Sequence, residues 1–129
     1  MLWIGQVAVV TLPVEIDVTN ADAVRDDLLS VMNQGATLLI ADMSATNFCD
    51  SAGVSALVRT FRQANTGTSA MRLVVSTPAV QRVLSLTGVD RLVGIYPSVA
   101  ASLAGPGDQA GQLEPDNAAA KADTDGGGA

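Results

Sequence analysis

Two short, continuously apolar runs place the tightest limit on how this chain can fold. Residues 38–41 and 73–75 carry no polar side chain, which is typical of strands covered on both faces in a parallel sheet. A β-branched run at 6–12 precedes them, and 92–95 gives a short last strand. Because helical patterns separate these runs, the sequence predicts an α/β fold: a central, mostly parallel mixed sheet of four or five strands covered by about four helices.

Capping signals set the predicted helix boundaries. Ser, Thr and Asp favour helix starts, proline fits the first helical position, and glycine favours helix ends. The predicted boundaries are Thr19 and Gly35 for the first helix, 50–53 and 65–68 for the second, Thr77–Pro78 and Gly88 for the third, and a start near Pro97 for the fourth.

Composition divides the chain into a domain and a tail. At 129 residues and 48% hydrophobic content the chain is suited to one globular domain, which we assign to 1–105. Residues 106–129 are rich in Gly, Ala and Asp and hold five acids and one base. Such a segment buries too little apolar area to offset its ordering entropy, so we predict a disordered acidic tail.

The charge pattern excludes several classes of partner. Residues 1–105 carry eight acids and six bases, a net charge of −2, so no basic footprint for nucleic acid or an anionic membrane surface is expected. No segment approaches the roughly 18 to 20 apolar residues that span a bilayer. The single cysteine allows no internal disulfide. We therefore expect a soluble, cytoplasmic protein.

The tetrapeptide Asp50-Ser51-Ala52-Gly53 stands where a linker turns into a helix. Ser51 is therefore expected at or beside the N-cap, with its hydroxyl near unpaired backbone N–H groups. Gly53 removes bulk and would let another backbone or protein approach closely. A plainer interpretation remains open, in which Ser51 is only a helix cap and Asp50 only a solvated acid.

Several ordered stretches over 7–103 resemble the STAS domain family, and specifically bacterial anti-sigma factor antagonists. They are an apolar strand ending at Asp42, the phosphoacceptor-like stretch FCDSAGV at 48–54, the strand LVV at 73–75, LSLTGVDRL at 84–92 and IYPS at 95–98. Each match is weak alone, but their order over most of the domain makes the resemblance specific.

The resemblance implies a partner-switching mechanism and no enzymatic activity of the chain's own. The unphosphorylated antagonist would bind an anti-sigma factor, an ATPase-fold serine kinase, and so free a sigma factor; phosphorylation would release it, and a phosphatase is a further possible partner. By motif position Ser51 would be the phosphoacceptor. The partner-binding residues implied are Asp17, Asp50, Ser51, Ala52, Gly53 and Val54. No cofactor is implied.

The chain departs from the family pattern at two positions. Val14 stands where the family's segment before Asp17 usually has glycine, so we expect a different backbone path there. Ala52 replaces a frequent second serine. Ser51 is then the one hydroxyl within the tetrapeptide, with Ser55, one helical turn later, as a less favoured acceptor.

Other chemistries lack the residues they need. A nucleophilic Ser51 would require a base, but the chain has no histidine and its one lysine, Lys121, lies in the tail. One cysteine and no histidine leave scattered carboxylates for a metal. Asp42 resembles a receiver-domain aspartate but lacks the accompanying acidic pair and lysine, so we expect a structural cap. Cys49 is expected to be a buried small apolar residue rather than a redox sensor.

Two alternatives remain within the family resemblance. The chain could be a STAS accessory subunit of a stress-sensing assembly or of a lipid ABC transporter. The length of a lone domain and the serine acceptor favour the anti-sigma interpretation over both.

Overall fold

Strands and helices alternate along the chain, as the apolar runs predict. The computed structural model describes residues 1–105, and the predicted tail at 106–129 lies outside the described residues. The strands are β1 Leu2–Ile4, β2 Val7–Thr11, β3 Glu15–Ile16, β4 Leu38–Met43, β5 Phe48–Cys49, β6 Ala70–Val75 and β7 Gly94–Tyr96. The helices are α1 Ala21–Asn33, α2 Ser51–Thr66, α3 Pro78–Leu86 and α4 Val99–Ala104, with a 3₁₀ helix at Val89–Arg91.

The main sheet has five strands in the order β1-β2-β4-β6-β7. The pairs β2–β4, β4–β6 and β6–β7 are parallel, and β1 runs antiparallel to β2. The prediction of a mixed, mostly parallel sheet with four helices is therefore confirmed.

Helices cover both faces of this sheet. On one face, α1, α2 and α3 pack over the fully buried Leu39, Leu73 and Val75. On the other, a smaller cluster of Val9, Ile40 and Val74 is partly covered by α4. Because β4 and β6 are covered on both sides, residues 38–41 of β4 and 73–75 of β6 are continuously apolar.

A buried cation fixes α4 against the sheet. Arg72, in β6, donates a hydrogen bond to the Ser102 carbonyl, and its guanidinium lies 5.6 Å from the centre of the Tyr96 ring. At Gly105 a Cβ would lie 2.6 Å from a Tyr96 ring carbon. The end of α4 is therefore held against the sheet by the side chains of Arg72 in β6 and Tyr96 in β7.

Three short strands differ from the sequence prediction. β1 was not predicted, and β3 and β5, which form a separate parallel two-stranded ribbon, fall outside the predicted strands. Each strand of the ribbon has two residues, which is too short for any hydrophobic period. The last strand starts at Gly94, two residues later than predicted, because Leu92 ends the 3₁₀ helix.

The predicted cap at Thr19 is wrong and that at Thr77 is wrong in part. Asn20 occupies the N-cap position of α1, whereas the Thr19 hydroxyl donates to Asp17. Thr77 is the N-cap of α3, but its hydroxyl donates to the Thr46 carbonyl at 2.9 Å instead of capping the helix. In both cases the threonine hydroxyl bonds to a turn residue or to a distant loop instead of to the first turn of the helix. The predicted stop at Gly88 is confirmed by its φ of 82°.

Candidate functional site

The candidate site lies past the carboxyl ends of the parallel strands, where three loops are joined by hydrogen bonds. The centre of the network is Thr46, which is fully buried. Its hydroxyl donates to the Pro13 carbonyl at 2.7 Å, and its own carbonyl accepts from the Thr77 hydroxyl. The adjacent Asn47 N–H donates to the Val14 carbonyl at 2.8 Å. The loops after β2, β4 and β6 therefore form one supported platform.

The β3–β5 ribbon extends from this platform to the start of α2. Ile16 pairs with Cys49 and Glu15 with Phe48; Ile16 and Cys49 are buried, whereas Glu15 and Phe48 point outward. Beyond the ribbon the Asp50 N–H donates to the Ile16 carbonyl at 3.2 Å. The chain thus enters α2 from a fixed strand.

Asp50, and not Ser51, caps α2. The Asp50 backbone is extended, and its carboxylate Oδ1 accepts from the Gly53 N–H at 3.1 Å. Ser51 is the first helical residue, exposed, beside the N-cap as predicted. Within residues 1–105 its hydroxyl has no hydrogen-bond partner. The interpretation of Ser51 as the helix cap is therefore wrong, and so is that of Asp50 as merely a solvated acid.

Gly53 faces inward rather than toward a partner. A Cβ there would lie 2.6 Å from the Cys49 Sγ and 2.9 Å from the Ile16 Cγ2, both too close for a real side chain. The close approach that we expected Gly53 to allow is therefore made by this chain's own ribbon. Val54 is also buried, whereas Ala52 is half-buried. Gly53 and Val54 support the helix start from inside.

Asp17 leaves the same end of the ribbon as Asp50, because Ile16 and Cys49 are in register. Its carboxylate accepts from the Thr19 hydroxyl and from the Thr19 N–H, the latter at 2.9 Å, while its own N–H donates to Asn20 Oδ1. The Thr19 hydroxyl, followed by the Thr19 N–H, lowers the pKa of Asp17 below its ordinary value of 3.8. Asp17 is thus held ionised in a tight turn.

Cys49 and Asp42 have the structural roles expected of them. Cys49 is buried, and desolvation, with a smaller contribution from the Asp50 charge, raises its pKa to about 11. A thiol with that pKa is a poor nucleophile at neutral pH. Asp42 lies within β4, and its Oδ1 accepts from the Ser44 N–H at 3.0 Å, which caps the turn that follows the strand.

Two exposed apolar residues near Ser51 were not singled out from the sequence. Phe48 is 49% exposed on the outer side of the ribbon, and Val18 is 76% exposed in the turn after Asp17. Val18 also lines a shallow groove of about 160 Å³ between α1 and α2, together with Ala52 and Ser55. The sequence alone does not indicate their exposure, because Phe48 adjoins the buried Cys49 and Val18 is one apolar residue between Asp17 and Thr19.

Within residues 1–105, no group of three or more potential metal ligands is brought together. No helix of this described part is long and apolar enough to cross a membrane.

The comparisons with known proteins agree with this fold. The sequence profile of the STAS domain matches residues 3–102. This chain therefore belongs to the STAS domain family, and the resemblance deduced from the motifs is confirmed. No curated protein sequence matches it at a significant level.

Solved structures with the same fold include an anti-sigma factor antagonist from Mycobacterium paratuberculosis, 29% identical, with a TM-score of 0.73 over 80% of this chain and 87% of that one. The anti-sigma factor antagonist SpoIIAA in its unphosphorylated form is 20% identical, with a TM-score of 0.67 over 84% and 96%. A sulfate transporter family protein from Wolinella succinogenes is 16% identical, with a TM-score of 0.65 over 81% and 87%. At 20% and 16% identity, the last two structures show that the fold is shared with this chain and show nothing about its function.

Replacing Gly53 with alanine tests the internal contact. We expect Gly53→Ala to lower the free energy of unfolding by about 1–3 kcal/mol, because its Cβ overlaps Cys49 and Ile16. Urea denaturation measures the change. Gly67→Ala is the matched control, since a Cβ there meets nothing closer than 3.9 Å. In a Cys49→Ala background the cost should shrink; an undiminished cost would show that the sulfur is not the obstacle.

The Asp17 turn gives a pH-dependent prediction. Because its folded pKa is lowered, the Asp17 carboxylate stabilises the fold above its unfolded pKa, and that contribution is lost as the pH falls through the folded pKa. Thr19→Val removes the hydroxyl donor and should raise the Asp17 pKa, whereas Thr19→Ser should leave it low. A carboxyl-carbon NMR titration measures both. The same midpoint in wild type and Thr19→Val would contradict the assignment.

Proposed function

We propose that this protein is an anti-sigma factor antagonist whose binding is switched by phosphorylation of Ser51. The observation that carries the proposal is the exposed Ser51 hydroxyl, which has no hydrogen-bond partner within residues 1–105 although it stands at a rigidly supported helix start. A serine that contributes no bond to the fold is free to serve as a substrate. The 29% identical solved antagonist supports the same role.

The partner would be an anti-sigma factor of the ATPase-fold serine kinase class. In the unphosphorylated form, the antagonist binds this kinase and thereby frees a sigma factor, which it does not itself contact. Because the Ser51 hydroxyl is hydrogen-bonded to no base within residues 1–105 and the chain has no histidine, the kinase supplies the catalytic groups and Mg-ATP supplies the phosphate. A phosphatase would restore the binding form. We place this cycle in the cytoplasm, as part of a stress response.

The surface around Ser51 has the mixed character of a protein interface. Asp17 and Asp50 give it negative charge, while Phe48 and Val18 provide exposed apolar side chains. Aromatic side chains such as Phe48 are enriched in protein interfaces, and apolar residues bordered by a polar rim are their usual arrangement. Ala52 adds a small residue at the helix start, where a partner can approach closely. Gly53 and Val54 take part by holding the helix start in place.

Phosphorylation would act on this surface without refolding the domain. A phosphoserine adds about −1.5 to −2 charge at neutral pH. The N-terminus of α2 partly accommodates that charge, but Asp50 and Asp17 add repulsion, and the phosphate fills space that the partner needs. Since Asp50 already caps the helix, the fold does not require the phosphate, and the change is confined to the binding surface.

Phosphorylation by anti-sigma factor kinases tests the proposal. Incubation with Mg-ATP and a panel of such kinases from the source organism should add one phosphate, seen by intact-mass spectrometry. Ser51→Ala should abolish the addition, whereas Ser55→Ala, an exposed serine one turn later, should leave it intact. Ser51→Asp should weaken binding of the same kinase by at least about tenfold, equivalent to 1.4 kcal/mol.

Two results would contradict different parts of the proposal. Modification that persists in Ser51→Ala and disappears in Ser55→Ala would move the acceptor to Ser55. Equal kinase affinity for wild type and Ser51→Asp would remove the switch even with the acceptor site correct.

A further inference from the structure

One buried hydroxyl links two separate segments of the chain at the candidate site. Within residues 1–105 the buried polar or charged residues are Thr46, Thr60, Arg72 and Ser102. The hydroxyls of Thr60 and Ser102 bond to carbonyls of their own helices, four and three positions earlier. The Thr46 hydroxyl instead donates to the Pro13 carbonyl, 33 positions earlier, at 2.7 Å. Of the three buried hydroxyls, that of Thr46 is the one that joins distant parts of the sequence.

This bond lies at the point where the two strands of the ribbon begin. From there the segments 13–17 and 46–51 run side by side, joined by backbone hydrogen bonds and by the β3–β5 pairing. Asp17 directly follows β3, and Ser51 lies two residues past β5. The two segments that present Asp17 and Ser51 are therefore joined at their base by the Thr46 side chain.

The shortness of the ribbon makes such a bond important. Each strand has two residues, and a slip of one residue between paired strands exchanges inward and outward side chains. Here it would bring Glu15 into the place of the buried Ile16. Packing against Gly53 holds the far end of the ribbon, and Thr46 holds its base. Within residues 1–105 the Thr46 hydroxyl is the one hydrogen-bond donor to the Pro13 carbonyl, so it selects a single register.

Thr46 is itself fixed against the main sheet. Its carbonyl accepts from the Thr77 hydroxyl, in the loop after β6, at 2.9 Å. Its N–H donates to the carbonyl of Met43, the last residue of β4, at 3.0 Å. Because the hydroxyl, the carbonyl and the N–H of Thr46 bond to three different segments, the base of the ribbon is held relative to the sheet as well as within itself.

We propose that Thr46 is a positioning residue for recognition of the phosphoacceptor. Its hydroxyl fixes the register of the ribbon and thereby presents Asp17 and the Ser51 helix start to the kinase as one surface. Thr46 is fully buried and acts only through that surface. The inference rests on the proposed function, which supplies the kinase. A surface that is already ordered spares the kinase the entropy of ordering it on binding, so Thr46 contributes to kinase affinity and not to phosphate transfer.

Amide hydrogen exchange of the protein alone tests the structural half of the proposal. Thr46→Val keeps the shape of the side chain and removes the donor. The Asn47 and Asp50 N–H groups, which bond to the β3 segment, should then exchange at least about threefold faster relative to the amides of the β6 core. Thr46→Ser keeps the donor and should not show this selective acceleration. Thr60→Val is the matched control, since its hydroxyl is equally buried but bonds within α2.

Phosphorylation kinetics test the recognition half, with the kinase that modifies wild type. Thr46→Val should raise KM about three- to tenfold and leave kcat within about twofold, whereas Thr46→Ser should stay near wild type. A residue that contributed only to general stability would give the opposite order, because serine loses a buried methyl group and valine keeps it. In an Asp17→Asn background the effect of Thr46→Val on KM should shrink, since both changes act on the same surface.

Distinct outcomes would overturn the two halves. Equal exchange of Asn47 and Asp50 in Thr46→Val and Thr60→Val would mean that the hydroxyl does not hold the ribbon. Selective acceleration with an unchanged KM would mean that the kinase does not depend on the register. Failure of every kinase to modify wild type would contradict the proposed function and the recognition half with it, while the exchange result still decides the structural half. If circular dichroism shows that Thr46→Val is unfolded, Thr77→Val, which removes the donor to the Thr46 carbonyl, replaces it with the same expected results.

Discussion

The close contact between Gly53 and the β3–β5 ribbon is the constraint on which the site depends. A hydrogen in place of a side chain lets the first turn of α2 lie against Ile16 and Cys49, where a Cβ would come within 2.6 Å of the cysteine sulfur. This contact joins a helix to two strands of only two residues each, which would be marginal without it. Thr46 joins the two loops that lead into the ribbon through its bond to Pro13. The start of α2 is thereby held by packing against the ribbon, and the ribbon in turn by the hydrogen bonds of the Thr46 loop.

That arrangement separates the residues that support the helix start from Ser51, the residue that we propose as the phosphoacceptor. Asp50 satisfies the helix start through the Gly53 N–H, so the Ser51 hydroxyl is left without a structural task. The proposed phosphate on Ser51 would change charge and shape at the surface while the capping bond remains. Asp17 and Asp50 lie at one end of the ribbon, so an added phosphate would meet negative charge that is already present. The switch in this account is a local electrostatic and steric change, with no second conformation required.

How much of this could be predicted depended on whether a feature is encoded locally. Continuous apolar runs identified β4 and β6, and the glycine at 88 identified the end of α3, because burial and left-handed backbone are properties of single segments. The β3–β5 ribbon could not be predicted, since its strands exist only through each other. Thr19 and Asn20 are both good capping residues, and the Asp17 turn decides between them. The inward role of Gly53 depends on Ile16, 37 positions earlier in the numbering, and the burial of Arg72 depends on Ser102. In each of these cases the local sequence allows more than one structure, and contacts with residues elsewhere in the fold determine which one forms.

Amide hydrogen exchange at the start of α2 tests the central claim most directly, namely that Ser51 is displayed from a fixed helix start. The Gly53 N–H donates to the Asp50 carboxylate and the Val54 N–H to the Asp50 carbonyl, whereas the Ser51 and Ala52 N–H groups have no acceptor within residues 1–105. The account predicts that Gly53 and Val54 exchange slowly, with opening free energies approaching those of the β4 core, while Ser51 and Ala52 exchange rapidly. Rapid exchange at all four positions would mean that the first turn of α2 opens freely, and would contradict the account.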